Sequence, residues 1–389
     1  MSNYQENREK CCGCRACELI CPRNAIEMKA DAEGFIYPFI DKDKCVECGK
    51  CTKVCAFSKG KASERNNECS QYFLCRHNDK DVFLTSRSGG VFVALSDYIL
   101  SLQGSIYGVE LTSDFIAHHA KASNKKERDK FCGSKYVQSD TEETFNQVCE
   151  DLKNSKYVLF SGTPCQVAAL HNYLNMRGNI SLQEKLFTCD IICHGVMSPK
   201  IWQDNLAEIK EKYKTKIEEV NFRDKDYGWN THIESYITPK GKINSSLYTD
   251  VFYEHLALRP SCYECPYASL NRVSDITLGD GWGAEKHNAK WGDNLGVSLI
   301  LINTLKGERF FNEVKACMYT EQVDIKNFMQ PNLQHATLRP KGRAWFWNDY
   351  QKMGYKFVAV KCQRRQKKIK RKNCFKASLL KLLKKIGLR

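Results

Sequence analysis

No apolar run in this 389-residue chain approaches the length of a membrane span, and no apolar segment opens the N-terminus. A membrane-spanning protein and a secreted one are therefore not expected. A G-x-G-x-x-G turn after a strand is missing, and so is a phosphate P-loop, which leaves an NAD-type fold unsupported. Acidic residues are missing from Lys361 to Arg389. That segment holds thirteen of the net +15 charges, so the rest of the chain carries only about +2. A near-neutral body does not read as a nucleic-acid binder, and the basic tail lacks interleaved base-stacking aromatics.

Cysteine, in contrast, is abundant, at 21 residues. Without a signal region these thiols read as reduced, so the expected compartment is cytoplasmic and the expected protein oxygen-sensitive, from an anaerobic or low-oxygen host. Cys11, Cys14, Cys17 and Cys21 form C-x2-C-x2-C-x3-C-P, and Cys45, Cys48, Cys51 and Cys55 repeat the spacing. Three thiolates at that pitch reach three irons of one cubane, and the fourth ligates the other cluster. The spacing thus predicts one 4Fe-4S cluster on Cys11, Cys14, Cys17 and Cys55, and a second on Cys45, Cys48, Cys51 and Cys21. Zinc knuckles use more widely separated C-x2-C pairs and fit less well. Cys12 falls outside this spacing and reads as a small buried residue or spare thiol. Ala56 stands where proline would follow the last ligand.

The expected fold class is α+β: an N-terminal two-cluster ferredoxin-type module, a mixed α/β body, and a basic helical tail. Residues 1–57 make the module, in two halves that repeat, and the polar stretch 58–69 reads as a linker. Strands are predicted at Tyr72–Cys75, Ser105–Val109, Tyr157–Phe160, Leu186–Ile192, Ile276–Leu278 and Val297–Ile302, with helices at Val91–Leu102, Cys165–Leu174 and Pro199–Tyr213 between them. In the tail, Leu379, Leu382, Leu383 and Ile386 share one helical face after a basic run at Arg364–Lys372. Such a segment suits an anionic membrane surface, an acidic partner, or packing back on the body.

Ser86-Arg87-Ser88-Gly89-Gly90 opens a helix that Ser88 can cap, and its dipole end suits a phosphate. Tyr157–Gln166 is a strand, a Gly turn and then Pro164-Cys165 at a helix start, where a thiolate is favoured. Cys193-His194 follows a second strand, and Cys262 and Cys265 form a C-x2-C pair. These offer four possible ligands for a further metal centre, which by spacing alone could equally be a zinc site of four cysteines or of three cysteines with His194.

Taken in order, S-G-G-V-F, G-S-K-Y-V-Q-S at Gly133–Ser139, F-S-G-T-P-C-Q, D-x-x-C-H-G at Asp190–Gly195, S-P-K at Ser198–Lys200, F-R-D-K at Phe222–Lys225, R-P-S-C-x-x-C-P and S-D-I-T-L-G-D-x-W-G at Ser274–Gly283 resemble the beta subunit of the coenzyme F-420 (deazaflavin) hydrogenase/dehydrogenase family. The likeness covers roughly residues 8 to 285. It implies FAD lined by Ser88, Gly89, Gly90, Lys135, Tyr136, Thr163 and Pro164, with a third 4Fe-4S cluster on Cys165, Cys193, Cys262 and Cys265. Lys135 would stabilise anionic reduced flavin, and Asp280 and Trp282 would sit at the pocket mouth. Residues 70–155 would form the N-terminal flavin-binding part, 156–345 the C-terminal catalytic part, and 346–389 the tail. The implied function is an iron–sulfur flavoprotein oxidoreductase exchanging hydride with an organic substrate, a deazaflavin or another conjugated or glycan-pathway compound. The alternative is an electron-relay subunit serving a partner enzyme. A redox partner protein (a ferredoxin, or a hydrogenase or dehydrogenase subunit) is expected, and the tail would place the protein peripherally on the inner membrane face.

Overall fold

A computed structural model describes residues 8–58, 69–178 and 181–385, with side chains as far as Lys372. Most of the expected linker, and the apolar side chains expected on one face of the tail, lie outside the described residues.

The small module holds the antiparallel pair β1 (Ile26–Ala30) and β2 (Ile36–Ile40). The body is built on an eight-stranded sheet of β3 (Gln71–His77), β4 (Ser105–Leu111), β5 (Ala117–Ala122), β6 (Val158–Gly162), β7 (Leu186–Ile191), β11 (Ile276–Asp280), β12 (Ser298–Ile302) and β13 (Met318–Gln322). Their order is β13-β3-β12-β11-β7-β6-β4-β5. A third sheet pairs β8 (Glu219–Asn221), β9 (Glu234–Thr238) and β10 (Gly241–Ser245).

The four strands β4, β6, β7 and β11 run parallel, and antiparallel strands flank them. Strands covered on both faces read as continuous apolar runs, and Val158-Leu159-Phe160 and Leu299-Ile300-Leu301 are fully buried accordingly. All six strands predicted in the body fall inside this sheet. The two that periodicity misses, β5 and β13, are its edges. Their sequences, Ala-His-His-Ala-Lys-Ala and Met-Tyr-Thr-Glu-Gln, are polar because an edge strand is half solvated.

The module does not hang from the body. Ala16, Ile20, Val54 and Ala56 share one hydrophobic cluster with the helices Thr144–Lys153 and Pro164–Met176. Arg15 pairs with Asp140 at 2.7 Å, and Tyr267 donates to the Ala56 carbonyl. The long helix Arg343–Lys385 is interrupted at Gly354, whose φ of 76° and ψ of 178° break the helical path. Its first stretch belongs to the body: Phe346, Trp347, Tyr350, Tyr355, Val358, Ala359 and Cys362 are buried in the core that covers the helix Pro199–Tyr213. Only beyond Cys362 does the helix become basic and exposed, and there Arg365 still pairs with Glu254 and Lys370 with Asp250, at 3.2 and 3.7 Å.

Candidate redox centres and cavity

The two cysteine loops are conformational repeats. Gly13 and Arg15 in the first, and Glu47 and Gly49 in the second, all take left-handed backbone, with φ of 69°, 56°, 50° and 69°. Each loop therefore curls twice in the same sense and turns its thiols inward. The two non-glycine residues accept a cost of about 1–2 kcal/mol each for that curl.

The loops gather two groups of sulfur. Burial, then the fields of Cys14, Cys11, Cys55 and Cys51, push the Cys17 thiol well up, and burial with Cys14 and Cys11 drives Cys55 to about 12. Cys11, Cys14, Cys17 and Cys55 are thus mutual neighbours. Cys21, Cys45, Cys48 and Cys51 line one small cavity together with Pro22, Val46 and Gly49. The eight cysteines expected as ligands lie in these two adjoining groups, and Cys51 of the second also acts on Cys17 of the first. No disulfide joins any of them, and a set of thiols around a void is the donor chemistry an iron–sulfur cubane requires.

Cys165, Cys193, Cys262 and Cys265 come from separate parts of the chain. Cys165 follows Pro164 at the start of its helix, where Thr163 and Gln166 form a reciprocal capping box. Cys193 leaves the end of β7, and Cys262 and Cys265 lie on and just after the turn Pro260–Glu264. After burial, the Cys262 thiol is pushed up by Cys193, Cys265 and Cys165, so the four sulfurs share one site. The backbone N–H groups of Gly195 and Val196 point at Cys193 and Cys262, 3.4 Å from each sulfur. Such N–H groups favour thiolate over thiol. His194 turns elsewhere: its ring is half-buried in the cavity wall, and its charged neighbours are Asp280 and Arg223. Among the described residues no three His, Cys, Asp or Glu side chains are placed to hold a single metal ion.

Cys12 is not a spare thiol remote from the chemistry. It donates toward both Cys14 and Cys165, and its hydrogen bond is the largest influence holding Cys165 down to about 7. It therefore bridges the first sulfur group of the module and the group in the body.

Beside the third group lies a cavity of about 310 Å3, within the range of small-molecule and cofactor sites. It opens at the C-terminal ends of the parallel strands, where Gly108, Ser161, Ile191 and Leu278 sit, the usual ligand crevice of such sheets. Ser88, Gly90, Lys135, Tyr136 and Thr163 line it, and so do Cys193, His194, Asp280 and Trp282. Thr163 Oγ1 lies 3.2 Å from Cys165 Sγ, so one wall of the cavity is also a wall of the third thiol group.

Gly89 and Pro164 are not among the lining residues. A Cβ on Gly89 would stand 2.1 Å from the Cys75 carbonyl oxygen, so this glycine permits close packing onto β3. Ser88 does not cap the helix Val91–Ser101: its hydroxyl donates to the Val297 carbonyl at 2.6 Å, and Gly90, at φ 85°, occupies the cap position without a side-chain bond. Gly90, Val91, Phe92 and Val93 accordingly present the helix N-terminus to the cavity.

Lys135 Nζ donates to the carbonyls of Lys130 and Cys132 at 2.7 and 3.0 Å, and burial lowers its pKa to about 8. Sequence reasoning missed three other cations here. Arg223 donates to Asp280 at 2.6 Å and lies 4.7 Å over the Trp282 ring, which stacks on Trp229. Burial and then Arg223 lower Arg87 to about 10, while burial followed by Arg87 and Arg76 lowers Lys225 to about 7. The buried Arg87 Nε has no hydrogen-bond partner. Arg87 and Arg223, with the only partly charged Lys225 next to Arg87, face one carboxylate, an excess that an anionic ligand would relieve. The run Phe222–Lys225 carried the signal in sequence, but nothing local shows that it folds against Arg87.

Residues 155–327 match the family described as the C terminus of the coenzyme F420 hydrogenase/dehydrogenase beta subunit, and residues 10–59 match the 4Fe-4S dicluster domain. No curated protein matches the chain. Among solved structures, a chain of the F420-reducing NiFe hydrogenase complex from Methanosarcina barkeri aligns at 16% identity and a TM-score of 0.47. The alignment covers 76% of this chain and 91% of that one.

Proposed function

We propose, from the match of residues 155–327 to the C terminus of the coenzyme F420 hydrogenase/dehydrogenase beta subunit and of residues 10–59 to the 4Fe-4S dicluster domain, that this chain is an iron–sulfur electron-transfer protein of that family and an FAD-dependent oxidoreductase with three 4Fe-4S clusters. Its organic substrate, a deazaflavin or another conjugated or glycan-pathway compound, would exchange hydride at the cavity. The observation that carries this reading is the shared wall. Cys193 lines the cavity and the third thiol group at once, and Thr163 touches Cys165. A flavin in the cavity would supply the change between one-electron and hydride transfer.

The chain's own residues suit such an occupant. The N-terminus of helix Val91–Ser101, Arg87 and Arg223 offer N–H groups and positive charge to a diphosphate. Tyr136, Phe252 and Trp282 supply flat apolar surface for a ring system. Electrons from a redox partner protein would arrive at the outer sulfur group, where Cys48 is exposed and Val46 is 58% accessible. No helix among the described residues is long and apolar enough to cross a membrane. The basic stretch beyond Cys362 would instead hold the protein to an anionic surface, and flotation with anionic vesicles at low salt should fail for a chain ending at Cys362.

The deciding experiment is anaerobic purification with flavin and metal analysis. About twelve irons and one FAD per chain are expected, whereas eight irons with one zinc would make the third centre a zinc site. Arg87→Met should weaken FAD binding about ten- to a hundredfold, the worth of a lost charge-assisted hydrogen bond, and leave iron unchanged. Reduction of deazaflavin, nicotinamide or viologen by this protein would then identify the substrate class. Full cluster reduction without turnover of any organic acceptor would leave the relay-subunit reading instead.

A further inference from the structure

Four arginines are buried in the described structure: Arg128, Arg223, Arg259 and Arg272. Three of them pair with a carboxylate, Arg128 with Asp97 at 2.7 Å, Arg223 with Asp280 at 2.6 Å and Arg272 with Asp190 at 2.9 Å. Arg259 has no carboxylate partner among the described residues, although it is the most deeply buried of the four, at 0% exposure. A guanidinium keeps its proton in a protein, so this charge is permanent and needs an anion nearby.

Its surroundings show which anion that is. Nε donates to the Cys11 carbonyl at 2.6 Å, Nη1 to Gln138 Oε1 at 2.9 Å, and Nη2 to the Ile36 carbonyl at 2.8 Å and to Cys11 Sγ at 3.5 Å. The guanidinium carbon lies 4.3 Å from the Tyr37 ring centroid. Every hydrogen bond but the last goes to a neutral oxygen. The ionisable groups closest to it are Cys11, Tyr37, Cys12 and Cys262, so it lies between the first sulfur group of the module and the third group in the body, where thiols become anionic only as cluster ligands. Gly13 is held to glycine by the same group, since a Cβ there would come within 2.9 Å of Nη1.

We propose that Arg259 is the internal counter-cation of the cluster on Cys11, Cys14, Cys17 and Cys55, a positioning residue that raises that cluster's reduction potential above that of the outer one. The proposal rests on the cluster reading. A cubane held by four thiolates is a net anion, and one-electron reduction adds one further negative charge. A fixed buried cation bonded to one ligand sulfur favours the reduced form, and charge and hydrogen bonds at the sulfurs are levers on such potentials. Because the cation is buried, salt does not screen it. The cations beside the outer group, Arg23 and Lys50, are both exposed to solvent and therefore screened.

The test is an anaerobic potentiometric titration of the full holoprotein followed by electron paramagnetic resonance. The inner and outer signals are assigned by their loss in Cys14→Ala and Cys48→Ala. In Arg259→Met the inner cluster should become harder to reduce by at least tenfold in its oxidised-to-reduced ratio at fixed potential, about 59 mV for one electron. The third centre should shift less and the outer one not at all, while Arg259→Lys should keep most of the wild-type potential. An unmoved inner potential with all iron retained overturns the proposal, as does an equal shift in Arg259→Lys or in the outer cluster. If Arg259→Met loses the inner cluster, Arg259→Lys decides: a retained cluster near the wild-type potential supports the charge role, and loss in both variants makes the role structural and overturns it. A wild-type protein without iron would instead sink the cluster reading itself.

Discussion

The two sulfur groups of the N-terminal module have the same spacing and the same left-handed turns, yet opposite surroundings. Cys48 is exposed and Val46 stands 58% accessible beside it, whereas Cys11 is buried under Arg259 and Cys17 sits against the helices of the body. One local motif thus makes an outward-facing and an inward-facing centre. The repeat supplies the ligands, and docking against the body decides which end of the module is wet. That asymmetry gives electron flow an outside and an inside.

The strongest way to break this comparison is to remove one ligand from each group. Cys14→Ala and Cys48→Ala should each lower iron from about twelve to about eight per chain. Cys14→Ala should interrupt transfer between the module and the cavity by orders of magnitude while flavin stays bound. Cys48→Ala should slow only exchange with the external partner, leaving small-molecule donors able to reduce the interior. Equal effects on both reactions would show that the two centres are not in series.

Gly13 and Gly49 sharpen the contrast, because both have φ 69°. A Cβ on Gly49 meets nothing within 4 Å, so Gly49→Ala should cost only the left-handed penalty, about 1–2 kcal/mol. A Cβ on Gly13 would meet Gln138 Nε2 at 2.7 Å as well as Arg259. Gly13→Ala should therefore lower the melting temperature further and loosen the module from the body. Matching melts for the two variants would contradict the docked arrangement.

Exposure predicts an order of loss. Under a chelator, or brief contact with air, the outer cluster should go first, so iron content should pause near eight before falling further. Loss of all clusters at one rate would break the distinction between wet and dry centres.

The smallest effect lies at the interior end, in the cavity. Burial holds Lys135 at about 8, below its ordinary value. An anionic ligand placed beside it favours the ammonium form and raises that pKa, so binding should take up protons in the window that begins at about pH 8. Affinity for FAD should accordingly weaken as pH rises through that window. Calorimetry in buffers of different ionisation enthalpy reads the proton uptake, which Lys135→Met should abolish.

What was legible in the chain beforehand follows from range. Four cysteines within eleven residues need only a local curl of backbone, so their spacing alone pointed to the two groups of thiols in the module. Interior strands such as β6 and β12 announce themselves because burial on both faces demands continuous apolar residues. Edge strands β5 and β13 do not, since water satisfies one side of them and their composition follows. The resemblance in motif order pointed to the residues around the cavity, but five of the seven expected flavin residues line it, and Gly89 instead packs against the sheet.

By itself, then, the sequence determined the cluster motifs, the interior strands and the basic end, all of which depend on neighbours in the chain. The tertiary structure brought together Cys165, Cys193, Cys262 and Cys265, which motif order had already grouped, and it alone decided that Cys12 bridges two sulfur groups, that Arg87 folds against Arg223, and that Arg259 reaches back to Cys11. Each of these joins segments set far apart along the chain, and their meeting depends on the order in which the strands enter the sheet. A buried charge acquires its meaning only there, because its anion is supplied by a part of the chain that local pattern cannot see.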